Sequence, residues 1–231
     1  MARINKSALT KLEIIQAASR HFLENGYTNT SAKSICNDLD MSTGNLTFYF
    51  PTKEHLLTTL VELFCDFQWK LMEEEAQEGY SSIMAICLEL AALAVMCEED
   101  PVAKDFFLSA YTAPLALAVI RKNDAERAKK VFGIYRPDWT DVDFVEAEVL
   151  VSGVEYATFM TAGENVPLAI RISGALETIL SIFAVPEDIK QKKIKKLLAM
   201  DYRSIGRKAL KEFKTYVEEA NEQALLDLLR N

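Results

Sequence analysis

Between Asp40 and Lys53 the chain reads DMSTGNLTFYFPTK. Ser42, Thr43, Asn45 and Thr47 are short, uncharged side chains that donate and accept hydrogen bonds, and Gly44 among them adds no bulk. Groups of this kind suit a surface patterned with donors and acceptors, such as the base edges in the major groove of DNA, where Asn45 can pair bidentately with adenine. Tyr49 offers a hydroxyl to a phosphate, and Lys53, at a helix start, would add its charge to that end's free N–H groups. The plainer reading of the same stretch is a capped surface helix with an aromatic end packed against its neighbours. Leu46 and Phe50 fit that reading.

The flanking signals place these residues on a helix. Ser42 is a good N-cap, and Met41 with Leu46 are spaced as a hydrophobic staple, so a helix runs from Thr43 to Tyr49 until Pro51 stops it. A shorter helix before it, capped by Thr30 or Ser31 and carrying Ile35 and Leu39 on one face, ends near Leu39. Only Asp40 and Met41 separate the two, which is the tight connection of a helix-turn-helix. Asp40 takes the position where glycine is easiest, and Asp tolerates the left-handed conformation better than most residues. A first helix from Thr10 to Asn25 has an apolar stripe of Leu12, Ile15, Ala18 and Phe22 and ends at Gly26. Downstream, Thr52 caps a long helix from Lys53 to about Glu78. Further helices are expected at 81–97, 101–111, 114–132, 141–162, 167–183, 187–200 and 203–229, broken at EEDP, TAP, YRPDWTD, GENVP and AVPED. No segment alternates as a strand does.

Composition agrees with an all-α chain: 231 residues, half of them hydrophobic, with only 8 Gly and 6 Pro. The net charge of −8 argues against nucleic acid as a partner of the whole surface. It is unevenly spread, however. Residues 1–55 hold six Lys/Arg against five Asp/Glu, and the remainder twenty against twenty-nine, so the parts carry +1 and −9. An acidic body can keep a local DNA-binding head. The first residues hold no apolar run fit for a signal peptide, which points to the cytoplasm. The apolar run Ile83 to Cys97 is too short for a bilayer and carries Glu89, so it reads as a buried core helix, with no membrane as partner. Cys36, Cys65, Cys87 and Cys97 form no CxxC pair, and the only histidines are His21 and His55, so neither a metal site nor a disulfide framework nor a cofactor is expected. An enzyme is disfavoured too, because no base lies in a pattern beside a nucleophile and there is no glycine-rich phosphate loop.

Residues 14–57, IIQAASRHFLENGYTNTSAKSICNDLDMSTGNLTFYFPTKEHLL, resemble the DNA-binding region of the tetracycline-repressor (TetR) family of transcriptional regulators. The features that match are AA…F…GY..TS in the first helix and its exit, Ile35 in the second, and S.GNL..YF..KE.LL through the third into the fourth. The resemblance implies DNA contacts at Thr30, Ser31 and Lys33, then at Ser42, Thr43, Gly44, Asn45, Thr47 and Phe48, with Tyr49 and Lys53 after them. Members of the family usually have tyrosine where this chain has Thr47, so one contact is shorter here. The resemblance also implies a division into a DNA-binding head, 1–55, and a helical effector-binding and dimerisation domain, 56–231. The expected behaviour is that of a ligand-responsive homodimer on double-stranded operator DNA, most often a repressor released by a small apolar effector. Thr47 and the lack of arginine in the third helix keep open the alternative of a helical protein-interaction module whose head no longer binds DNA.

Past the head the residues are less telling. Helices 141–162 and 167–183 carry small residues at Gly153, Ala157, Thr161, Ser173 and Gly174, suited to close helix approach at a dimer interface or inside one subunit. Met96, Phe106, Tyr111, Trp139, Phe144, Tyr156 and Phe159 are candidate walls of an apolar ligand pocket, and each is equally at home in an ordinary core. Glu148 belongs to a stripe with Ser152, Glu155 and Phe159 that reads as solvated surface. The alternative is a carboxylate meeting a cationic or hydroxylated ligand. Lys190 to Lys214 holds ten Lys/Arg against Asp201 and Glu212 and reads as helices with a solvated basic face. The last helix reads as a terminal amphipathic element packed on the body or a partner.

Overall fold

A computed structural model describes residues 6–76, 82–162 and 165–230, with side chains up to residue 219. Among the described residues the chain forms eleven helices and no strand: α1 (Lys6–Asn25), α2 (Ala32–Asp38), α3 (Thr43–Tyr49), α4 (Lys53–Ala76), α5 (Ile83–Glu99), α6 (Pro101–Thr112), α7 (Pro114–Phe132), α8 (Asp141–Met160), α9 (Leu168–Ile182), α10 (Glu187–Ala199) and α11 (Tyr202–Arg230). The expected end of the fourth helix at 77–78, the expected start of the fifth at Ser81, and Gly163 and Glu164 lie outside the described residues. α1 begins at Lys6, four residues before the expected Thr10.

The ends follow local chemistry. Ser42 Oγ accepts from the Asn45 amide at 3.2 Å, Ser31 and Ser34 close a capping box on α2, and Asp100 caps α6 with Pro101 at the first helical position. These side chains satisfy amides that have no partner within the helix. Asp40 turns the chain between α2 and α3 with φ of 49°, and Gly26 ends α1 with φ of 88°. Gly26 is needed for space as well, since a Cβ there would stand 2.7 Å from Asp105 Oδ2.

α5 is the centre of the body. It is buried on every side and packs against α4, α6, α8, α9, α10 and α11, which is why its run of apolar residues shows no polar face. The head shares this core. Ile14, Phe22, Ile35, Leu46 and Phe50 join one buried cluster that extends through α5 to Phe213 and Val217 in α11. α1 packs on α4, α6 and α11. Two polar ties reinforce the contact: Asp105 of α6 accepts from the Thr28 amide at 2.8 Å and from its hydroxyl, and Glu54 Oε1 of α4 accepts from the Leu115 amide of α7 at 2.7 Å. The head therefore meets the body through α6 and α7 as well as through the covalent route of α4.

The basic segment presents a largely exposed face, as expected, with Lys190 as its buried exception and several of its cations paired. Lys190 is buried and donates to Ser181 Oγ, while Arg203, Arg207 and Lys208 pair with Glu98, Glu99 and Glu75 on α5 and α4. Its charge anchors α10 and α11 to the acidic body. Elsewhere the surface exposes an apolar row, Val142, Val145, Val149 and Leu150 on α8 with Ile170 on α9. Among the described residues no single helix is long and apolar enough to cross a membrane.

Candidate DNA-reading head and interior ligand site

α3 is held by its apolar face and presents its polar one. Leu46 and Phe50 are buried, whereas Ser42, Thr43, Gly44, Asn45, Thr47 and Phe48 are all exposed. Phe48 is 78% exposed, and its ring meets the half-buried Tyr49 edge-on at 5.1 Å. Thr47 Oγ1 donates to Gly44 O at 3.1 Å, so the hydroxyl lies along the helix and its lone pairs face outward. A Cβ on Gly44 would find only Ser42 Oγ, at 3.9 Å, so this part of the helix is open to an approaching surface. Ser31 and Lys33 at the start of α2 are exposed beside it.

Two of the expected contacts are bonded within the head. Thr30 is only 3% exposed. Its hydroxyl donates to Gly26 O at 2.8 Å, with His21 O at 3.1 Å as a second acceptor. It locks the α1–α2 turn from a buried position. Lys53 Nζ donates to Tyr27 O and Thr30 O, both at 2.8 Å, and stands 3.9 Å from the Tyr27 ring centre. Burial lowers its pKa, with Asp105 acting the other way. The ammonium thus braces α4 against the α1–α2 turn with two of its three N–H groups. Lys53→Met should therefore lower stability by about 1.5–3 kcal/mol by stranding two carbonyls. It should leave the salt dependence of DNA binding unchanged, whereas Lys33→Ala should reduce the slope of log K against log salt by about one. Denaturation and anisotropy titrations across a salt series check both.

The body contains a second candidate site, whose lining the sequence indicated only in part. Two small interior cavities, of about 20 and 30 Å³, share Glu89, Asp124 and Arg127 as a common wall. The first lies among α4, α5, α6 and α7 and is lined by Phe64, Phe106 and Tyr111. The second lies among α5, α7, α8 and α9 and is lined by Glu148 and Glu155. Arg127 Nη1 binds both Glu89 oxygens at 3.0 and 3.1 Å, Nη2 binds Asp124, and the guanidinium stacks 4.9 Å from the Trp69 ring centre. Tyr111 Oη donates to Glu155 Oε2 at 2.8 Å.

Among the expected pocket residues, Phe106, Tyr111 and Glu148 line these cavities. Phe159 lies behind them, its ring 5.5 Å from Tyr111. Met96 is buried in α5 away from both, and the half-buried Tyr156 borders neither. Trp139 and Phe144 belong to a separate cluster with Phe183, at 5.1 Å from each other and 6.0 and 6.4 Å from it. The stripe read as solvated is turned inward, with Glu148 2% and Ser152 3% exposed. Glu89, Asp124 and Arg127 were missed. A lone charge in the apolar run of α5 was the available signal for Glu89.

Residues 14–60 match the family described as bacterial regulatory proteins, tetR family. No curated protein matches the chain. Among solved structures, GusR of Salmonella enterica is 22% identical, covering 76% of this chain and 96% of its own, with a TM-score of 0.47. The TetR family protein CprB from S. coelicolor A3(2) is 19% identical over 90% of this chain and 99% of its own, with a TM-score of 0.44. A gamma-butyrolactone receptor described as ArpA-like is 19% identical over 89% and 99%, with a TM-score of 0.43. Scores this low leave the argument with the residues of the head. The family match thus falls on residues 14–60, the stretch that holds the helix-turn-helix of α2 and α3.

Proposed function

We propose that the protein is a cytoplasmic transcriptional repressor that binds operator DNA as a homodimer and is released by a small molecule held in its body. The observation that carries the DNA-reading part is the exposed, uncharged row Ser42 to Phe48 on α3, fixed from behind by Leu46 and Phe50. A row without charge suits base edges better than bulk phosphate. Two heads on one DNA face require a two-fold dimer with half-sites about one helical turn apart, ~34–36 Å. The exposed apolar row on α8 and α9 supports an interface there. Gly153 and Gly174 support it too, because a Cβ on either would meet nothing within 4 Å inside the subunit.

The switch follows from how the parts touch. A ligand that fills and widens the interior cavities displaces α4, α6 and α7, the helices that carry the covalent link and the ties at Thr28 and Glu54. The two heads then no longer match a fixed half-site spacing. Effector and operator must oppose each other reciprocally, with a coupling of typically ~1–3 kcal/mol.

The test is a mobility-shift and footprinting experiment with fragments upstream of the protein's own gene. Expected is a protected two-fold site, with Asn45→Ala relaxing base preference at one position in each half-site at a loss of ~1–3 kcal/mol. Binding that depends on salt alone, with no preferred sequence and no response to Asn45→Ala, would leave the head as a protein-interaction module.

A further inference from the structure

The interior site gathers more carboxyl groups than cations. Glu89, Asp124, Glu148 and Glu155 border the two cavities with Arg127 as the guanidinium among them, and Arg127 is occupied by Glu89 and Asp124. Arg121 on the neighbouring turn of α7 directs Nε to Ser152 Oγ. Glu155 has the Tyr111 hydroxyl as donor. Glu148 has less: its Oε2 is buried and has no hydrogen-bond partner among the described residues, although it faces the second cavity. A buried acceptor without a donor is unfavourable, and evolution normally supplies a partner.

We propose, resting on the reading of the body as an effector receptor, that the effector is an organic cation, a protonated amine or amidine on an apolar body. Its charge sits between Glu148 and Glu155, and its body extends past Arg127 toward Phe64, Phe106 and Tyr111. An extended cation fits better than a metal ion, because no three His, Cys, Asp or Glu side chains among the described residues group closely enough to hold one. The present cavities hold a water or two, so such a molecule must part α4, α5, α7 and α8 to enter. That parting is the displacement the head would sense.

The protonation state fits this exchange. Burial, with Asp124 and Glu155 adding to it, pushes the Glu148 carboxyl up to about 10. Burial and the charges of Asp124 and Glu89 hold Glu155 well above the carboxylate range. Burial likewise raises Tyr111, with Glu155 next. At neutral pH Glu148 then keeps its proton, and a cation bound against it displaces that proton to solvent.

The probes are phenylbutylammonium and its uncharged counterpart phenylbutanol, titrated into the full-length protein by calorimetry in two buffers of different ionisation enthalpy, and then into the operator complex. Expected is a preference of about tenfold or more for the ammonium, release of about one proton per cation bound with none for the alcohol, and weakened operator binding by the ammonium. Glu148→Gln and Glu155→Gln keep the side-chain shape, and each should reduce the preference toward unity. If the alcohol binds as tightly and releases the operator as well, the cation is wrong and the receptor reading stands. If the ammonium binds without proton release, or both variants keep its preference, Glu148 and Glu155 are not its partners and the site falls. If neither probe binds while the operator does, the cation inference falls and the receptor reading stands on its own test.

Discussion

Arg127→Met is expected to destabilise the protein by about 3–5 kcal/mol, the usual effect of removing one partner from a buried ion pair. Out of a total stability of typically 5–15 kcal/mol this is a large share. The guanidinium is 10% exposed and faces Glu89 and Asp124, themselves 13% and 18% exposed. Methionine replaces its stem and its stacking on Trp69 but leaves the carboxylates without compensation. The loss should grow with pH. Burial already pushes Glu89 up to about 7 against the pull of Arg127, and burial raises Asp124 likewise. Without the guanidinium both rise further. Between the ordinary carboxylate range and these raised values the folded state binds more protons than the unfolded chain, so stability falls as pH increases through that window. Denaturant unfolding at pH 5.5 and pH 8 should therefore show the larger deficit at pH 8. Combining Arg127→Met with Glu89→Gln should recover part of it, as neighbouring charges are not additive. Equal deficits at both pH values, or a loss under about 1 kcal/mol, would mean that the acidic cluster is not restrained by Arg127.

Leu150→Asp is expected to dissociate the dimer and reduce operator affinity by about 10²–10⁴. That is the advantage two linked binding modules hold over one. Leu150 is 61% exposed beside Val149 and Val142 at 48% and 73%. Lone exposed apolar residues are ordinary, but a row along one helix with an open glycine at Gly153 is a surface waiting for a partner. In the proposed dimer a carboxylate there would be desolvated in an apolar interface without a partner of opposite charge. Sedimentation should show a monomer at micromolar concentration with unchanged helical content, and footprinting should show a single weakly held half-site. A dimer that survives Leu150→Asp with full operator affinity would move the interface off this face.

The two results divide along the line between local and tertiary information. Nearly all of the helices were legible in the sequence, because their ends are set by chemistry within a few residues: Ser42 on the Asn45 amide, Asp100 before Pro101, Gly26 at positive φ. The exposed polar face of α3 was legible for the same reason, since two buried positions, Leu46 in the seven-residue helix and the following cap Phe50, decide which way the others point. The bonds of Thr30 and Lys53 to backbone carbonyls of the α1–α2 turn were not legible, because the placement of that turn follows only once α4 has packed against α1. On α8 local pattern was of little use. Apolar residues occur on both faces, Phe144, Val151 and Phe159 inward and Val142, Val145, Val149 and Leu150 outward, so hydrophobic periodicity cannot tell which side a partner covers. The presence of Glu148 and Glu155 was written in the sequence. Which of them would be buried, and beside which charge, was decided by α5 and α7 closing over α8, and that closure brings Glu89, Asp124 and Arg127 from distant parts of the chain into one low-dielectric site where a carboxylate without a partner carries consequence.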